Sequence, residues 1–182
     1  PTINDIYALK RKNKITLNKS DFILCAKYRK GHFEGVLDVM DRFTKLILPK
    51  KIFMGEKDFQ QYFLVKQFIE FKYKTKIIKC DTVRSSNKIA LSSRNLLLNK
   101  NNLIKAEKLV KEIIELKKII LKNDKVNQYL LHTKKYLTQK YKIKIDYLEL
   151  RNIKNLGKSN TLKNSKIFIA YYLDKVRLID NL

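Results

Sequence analysis

The chain has 182 residues, 41 Lys and Arg against 17 Asp and Glu, and 45% hydrophobic residues, for a formal net charge of +24. That apolar share suffices for a real core, in one domain or two small ones, and excludes the disordered class despite the charge. No run of about eighteen apolar residues is present, so no membrane-spanning helix is expected.

The charge invites a nucleic-acid reading, because neutralising phosphates drives that binding. The composition argues against it. Arg11, Arg29, Arg42, Arg84, Arg94, Arg151 and Arg177 are the only arginines, whereas specific phosphate and base readers favour the planar guanidinium fork. The positive charge is also spread along the whole chain. Nucleic acid is therefore not expected as the main partner, and a basic nucleic-acid-binding domain stands as the alternative reading. Cys25 and Cys80 lie in different segments with no CxxC spacing. They supply no zinc site, suit a reducing cytoplasm, and are expected to be buried apolar residues. No metal ligands are expected in the chain itself. No signal peptide is expected before the fold, and a start at Pro1 suggests that a front segment has been removed or was not included.

In chain order, Ile15 and Leu17 suggest a short strand, and Ser20 a cap for a brief helix over 21–25. The basic turn Arg29-Lys30-Gly31-His32-Phe33-Glu34-Gly35 leads into a helix whose apolar face is read as Val36, Val39, Met40, Phe43, Leu46 and Ile47, with Pro49 as its stop. His32 fits either acid–base work or a structural place at a helix start. Ile52, Phe53 and Met54 read as a buried strand broken by Gly55. From Asp58 to about Lys72 the residues Phe59, Phe63, Leu64, Val65, Phe68 and Ile69 recur at helical spacing. Ile77 and Ile78 give another strand running into Cys80-Asp81-Thr82-Val83-Arg84. Helix–strand–helix–strand in this order points to part of a parallel sheet.

The strand–turn–helix at 51–72 holds the first candidate site. Unpaired N–H groups at a helix start attract phosphate, and Lys57 adds a point charge beside them. Gln61 follows Asp58 by three residues and shares its face of the first turn. An ordinary βα connection with solvated charges would carry the same spacing.

Beyond Arg84 a polar loop precedes Ala90-Leu91-Ser92-Ser93-Arg94-Asn95. Two hydroxyls and an arginine suit phosphate oxygens; a serine there also suits a helix cap. A long amphipathic helix is read over 103–122 and a second one around Val126, Leu130 and Leu137, with His132 as a surface or packing residue. Strands follow at 143–150, 167–172 and 176–179, with a polar connection over 152–164. Two helices followed by three strands make a separate small α+β domain, and the boundary is placed at 82/83.

Three stretches, Gly31-His32-Phe33-x-Gly35-Val36, Gly55-Glu56-Lys57-Asp58-Phe59-Gln60-Gln61 and Thr82-Val83-Arg84 … Ala90-Leu91-Ser92-Ser93-Arg94-Asn95, closely resemble the pantothenate synthetase (pantoate–β-alanine ligase) family. Arg177-Leu178-Ile179-Asp180-Asn181 and the opening Pro1 to Tyr7 resemble it too, so the likeness covers essentially the whole chain. It implies an α/β fold: part of a Rossmann-like parallel-sheet domain, then a small α+β C-terminal domain. It also implies an ATP-dependent ligase, cytoplasmic and homodimeric, that joins pantoate and β-alanine through pantoyl adenylate, with magnesium accompanying ATP. By position, Gly55, Glu56, Lys57 and Asp58 would contact ATP, Gln61 pantoate, and Val83 the nucleotide through its backbone. Leu91, Ser92, Ser93 and Arg94 would form a phosphate-gripping loop, with Lys57 and Arg94 as the catalytic cations. Arg29 and His32 are further candidates near the family's substrate pocket. Of Glu56, the backbone N–H is the expected contact, since its carboxylate would repel phosphate.

The sequence departs from the family in three respects. The early H-x-G-H pair, with the region gripping pantoate and β-alanine, is missing, so residues 1–182 alone are expected to lack catalysis. Lys88 stands where the family usually has glycine, and Asp81 where it has proline. Lysine takes positive φ less cheaply than glycine, so the loop is expected to be displaced or more mobile. A non-catalytic remnant of the family is the third reading.

Overall fold

The computed structural model describes residues 2–7 and 14–182, which form two compact units, Pro1–Asp81 and Thr82–Leu182. The division falls one residue before the 82/83 boundary read from the sequence. Pro1 and Arg11 lie outside the described residues.

The first unit runs α1 (Ile3–Tyr7), α2 (Leu24–Tyr28), α3 (His32–Ile47), β1 (Lys51–Gly55), α4 (Phe59–Lys72) and β2 (Lys76–Cys80). β1 and β2 pair in parallel, Lys51 with Lys76 through Gly55 with Cys80. The intervening helix buries Phe59, Phe63, Leu64, Val65 and Ile69, which lie on its core side at the spacing the sequence shows. Among the described residues, Leu24, Cys25, Ala26, Phe33, Leu37 and Ile77 are the other buried apolar residues of this unit.

Several expectations are corrected here. Residues 14–18, including Ile15 and Leu17, adopt no regular structure. Ser20 does not cap a helix: it lies inside a 3-10 turn, Lys19–Asp21, and α2 starts after Ile23. β1 is not fully buried, since Ile52 and Met54 are half-buried and Phe53 is 66% exposed. β2 stops at Cys80 rather than continuing to Arg84. Cys80 is exposed, because it is the strand's last residue, beside Gly55 at the mouth of the turn.

The apolar face of α3 is also rotated from the expected one. Its buried line is Phe33, Leu37, Asp41 and Thr44, while Leu46 and Ile47 are exposed. Two polar residues can hold core positions because each is satisfied. Asp41 accepts from Lys72 Nζ at 2.8 and 3.0 Å and from the Tyr73 hydroxyl at 2.8 Å, and Thr44 donates to the Met40 carbonyl at 2.7 Å.

The second unit begins with a tight antiparallel hairpin bridged at Arg84 and Ala90, then a 3-10 turn, Ser93–Leu97. Two helices follow, α5 (Lys100–Ile120) and α6 (Val126–Tyr141), then strands β3 (Ile145–Asn152), β4 (Ser165–Leu173) and β5 (Val176–Asn181). α5 starts three residues earlier than its apolar pattern suggests, because the Asn99 side chain accepts from Asn102 N–H at 2.9 Å and caps it. The strands form one antiparallel sheet in the order β3-β4-β5. Ala106, Leu109, Val110, Ile113, Leu116 and Leu137 from the helices share one core with Leu148, Leu150, Ile167 and Ile169 of the sheet. The β3–β4 register shifts between Ile145 and Tyr147, so Asp146 is the extra residue of a bulge. His132 is exposed on α6.

Candidate functional site

In the first unit the candidates occupy the strand–turn–helix. Glu56, Lys57 and Asp58 form a single 3-10 turn between β1 and α4. Gly55 is the last residue of β1 and has ordinary extended angles (φ −66°, ψ 132°). It does not break the strand by unusual backbone geometry. A Cβ built on it meets nothing within 4 Å, so neither its backbone angles nor its neighbours require a glycine, and the backbone stands open on that side.

Glu56 is buried, and its carboxylate is turned to Lys79 on β2, with which it forms an ion pair. The hydrogen bond to Glu56 raises the Lys79 pKa above the usual lysine value, against the desolvation that would lower it. The Glu56 carboxylate is thus paired from within the unit. The Lys57 side chain is mostly buried, 19% exposed, with Nζ 3.6 Å from Asp58 Oδ2. Asp58 precedes α4 without a side-chain capping bond, so its half-exposed carboxylate is directed elsewhere. Gln61 is half-buried on the first turn of α4.

Gln60, which the sequence reading passed over, fixes this turn. It is buried, its Nε2 donates to the Asp21 and Ile23 carbonyls at 3.1 and 2.9 Å, and its Oε1 accepts from Ala26 N–H at 3.3 Å. The start of α4 is thereby tied to the start of α2. Arg29 follows α2 directly. Its carbonyl accepts from His32 N–H at 3.2 Å across Gly31, whose φ of +75° requires glycine. His32 opens α3 with its ring tilted against Phe33 at 4.9 Å. The basic turn and the 55–61 turn belong to one unit, and one glutamine ties the second of them to the start of α2.

In the second unit the candidates lie on the hairpin and the turn after it. Val83 is 68% exposed, and its carbonyl accepts from Leu91 N–H at 2.9 Å. Leu91 is also exposed. Ser92 Oγ accepts from Arg94 N–H at 3.2 Å and caps the 3-10 turn, whose first residue, Ser93, is exposed. Arg94 Nη1 donates to the Arg177 carbonyl on β5 at 2.9 Å, which uses one of five guanidinium N–H groups.

The hairpin closes around Arg84. Its guanidinium makes a fork to Asp180, 2.8 Å on each arm, and also reaches the Lys88 and Asn181 carbonyls. Lys88 sits at φ +70°, in the left-handed region that glycine takes more cheaply than lysine. Lys88 N–H donates to the Ser85 carbonyl at 2.9 Å and closes the turn of the hairpin. Sequence reasoning missed Lys79, Asp180 and the acceptor role of Arg177. Their partners are set by strand register, for which a single chain carries no local signal. Among the described residues, no group of three or more His, Cys, Asp or Glu could hold a metal, and no helix is long and apolar enough to cross a membrane.

The family model described as pantoate-beta-alanine ligase matches residues 1–182. The bifunctional pantoate ligase/cytidylate kinase of Prochlorococcus marinus is 40% identical over 189 residues, covering all of this chain and 36% of that protein. The crystal structure of pantothenate synthetase from Thermus thermophilus superposes with a TM-score of 0.89 at 25% identity, covering all of this chain and 67% of that one. Pantoate-beta-alanine ligase from Francisella tularensis, solved in complex with beta-gamma ATP and beta-alanine, gives a TM-score of 0.77 at 31% identity, covering 98% of this chain and 61% of that one. The chain thus spans only part of the length of these relatives. A family match over all of residues 1–182, with a parallel β1–β2 pair followed by a three-stranded antiparallel sheet, settles the family: this chain belongs to the pantoate-beta-alanine ligases.

Proposed function

We propose that the chain is part of an ATP-dependent ligase that condenses pantoate with β-alanine. The carboxylate of pantoate attacks the α-phosphorus of ATP, pyrophosphate leaves, and pantoyl adenylate results. The amine of β-alanine then attacks the acyl carbon and AMP departs. The observation that carries this reading is the family match over all of residues 1–182, and the ATP and β-alanine held by the Francisella relative agree with it.

On this reading Gly55, Glu56, Lys57 and Asp58 contact ATP, and Gln61 binds pantoate. The open backbone at Gly55 allows phosphate to approach, and Glu56 serves through its N–H because Lys79 holds its carboxylate. Lys57 presents its ammonium from a mostly buried stem, where a cation acts on a developing anion more strongly than in water. Val83 offers its backbone to the nucleotide, and since its carbonyl already serves Leu91, the N–H is the apt group. Leu91, Ser92, Ser93 and Arg94 grip the phosphates, Arg94 acting as the second cation as charge moves to pyrophosphate. Arg29 and His32 line the substrate side. Magnesium enters with the triphosphate: it binds substrate phosphates with one or two carboxylates and several waters, and the half-exposed carboxylate of Asp58 is of that kind. It would neutralise phosphate charge. The working protein is a cytoplasmic homodimer.

The test uses protein from the complete reading frame with ATP, pantoate and β-alanine. AMP, pyrophosphate and pantothenate should form in equal amounts, and pantoate alone should support exchange of pyrophosphate into ATP. Absence of both, or release of ADP and phosphate, overturns the reading.

A further inference from the structure

Arg94 is held by the carbonyl of Arg177, and Arg177 is itself held by something the reaction does not call for. Its Nε donates to Asp146 Oδ2 at 2.9 Å, with the two side chains 11% and 0% exposed. Arg177 lies on β5, at the edge of the sheet, and Asp146 on β3, at the opposite edge. The ion pair therefore spans the middle strand. It can do so because Asp146 is the bulged residue: Ile145 pairs with Tyr171 and Tyr147 with Ala170, which leaves 146 outside the ladder. Bulges re-aim a side chain in this way and recur beside active sites. Arg177 also stands one residue into β5 from the β4–β5 turn, paired with Tyr172, where a strand end frays most readily unless it is held.

We propose that Asp146 and Arg177 form a positioning pair for Arg94. Asp146 fixes the Arg177 side chain, the fixed residue presents its backbone carbonyl at a set place on the sheet edge, and that carbonyl orients the Arg94 guanidinium toward phosphate. A second clamp, Arg84 on Asp180, holds the other end of the same loop on the same strand. Neither Asp146 nor Arg177 touches substrate through its side chain. The inference rests on the reading of Arg94 as a phosphate contact, and it adds the pair that aims it.

The experiment measures pantoate-dependent pyrophosphate–ATP exchange with full-length protein, comparing Asp146→Asn, Arg94→Ala and the double variant. Asp146→Asn is nearly isosteric, and it should lower kcat/KM for ATP about tenfold with the KM for pantoate unchanged, as a displaced aiming group does. In the Arg94→Ala background the same substitution should change nothing further. Arg177→Lys keeps the charge but loses the Nε–H, and should move kcat/KM in the same direction; it stands in if Asp146→Asn fails to fold. A pair that is only structural would lower yield and melting temperature and leave kcat/KM for ATP within about twofold; that result overturns the proposal. Effects of Asp146→Asn and Arg94→Ala that multiply would also overturn it, because Asp146 would then act by another route. If wild-type exchanges normally and Arg94→Ala has no effect, the phosphate role of Arg94 falls and takes this proposal with it, while the ligase reading stands.

Discussion

In Pro1–Asp81 the candidate ATP contacts are consecutive residues, 55 to 58, between a strand and the helix it feeds. In Thr82–Leu182 they sit on a hairpin and a 3-10 turn, with no α-helix or full strand on the chain beside them until Lys100. The first set is positioned by the two elements it joins, with one ion pair to the adjacent strand and one buried glutamine as braces. The second set is positioned by distant residues: Arg84 by Asp180, 96 residues away, and Arg94 by Arg177, 83 residues away. A βα turn inherits its shape from local hydrogen bonding. A loop laid along a sheet edge must be clamped, and those clamps are where the second unit is vulnerable.

The largest expected effect tests that contrast directly. Asp180 is 5% exposed and carries a forked arginine, so Asp180→Ala strands a partly buried guanidinium. Breaking such a pair from one side costs about 3–5 kcal/mol. Urea unfolding should show that loss in the transition of the second unit. The corresponding change in the first unit, Glu56→Gln, should cost at most about 1 kcal/mol, since Lys79 already reaches solvent. Equal losses would erase the distinction between a locally built turn and a clamped loop.

Next in size is the chemistry. In the full-length protein Lys57→Ala should slow pantoyl-adenylate formation about a hundredfold, the usual cost of one preorganised donor. Single-turnover release of pyrophosphate reads it. An unchanged rate would remove Lys57 from the mechanism and leave the first unit's turn as a plain connection.

The same contrast governs what could be read from the sequence. The strand–turn–helix was legible because apolar spacing, a glycine and the helix start all lie within about twenty residues, and the parallel pairing of β1 with β2 followed from the order of elements. The helix–helix–strand–strand–strand order of the second unit was legible for the same reason. The face of α3 was misread because Asp41 and Thr44 take core positions, and polarity alone gives no hint that Lys72, Tyr73 and the Met40 carbonyl would satisfy them. Cys80 was misplaced because its exposure depends on where β2 stops. The clamps on β5 were invisible for a further reason: Asp146 reaches Arg177 only through a bulge, and a bulge changes register without any required residue type.

A smaller effect concerns Lys88. Its φ of +70° is a left-handed conformation that costs a residue with a Cβ about 1–2 kcal/mol, part of which glycine gives back as chain entropy. Lys88→Gly should therefore stabilise the second unit by about 1 kcal/mol in urea unfolding. No change would mean that the hairpin, held by Arg84 on the Lys88 carbonyl, relaxes the strain by itself.

The smallest effect belongs to the first unit and is read in alkali. The hydrogen bond to Asp41 raises the pKa of Lys72 above its ordinary 10.5, and burial together with Asp41 raises that of Tyr73 above its ordinary 10.0. Both groups keep their protons longer when folded than when unfolded. Their contribution to stability is therefore fully present below about pH 10 and is lost as pH climbs through the raised folded values. Lys72 is 46% exposed, so solvent screens its share and the slope should be shallow. Unfolding followed between about pH 9 and 11.5 should show the first unit losing stability over that window in wild-type. Asp41→Asn removes the charge that holds both protons and should flatten the curve while lowering it at neutral pH. A wild-type curve that rises through this window would mean that Lys72 and Tyr73 do not share the buried carboxylate in solution, and the satisfied polar line along α3 would lose its explanation.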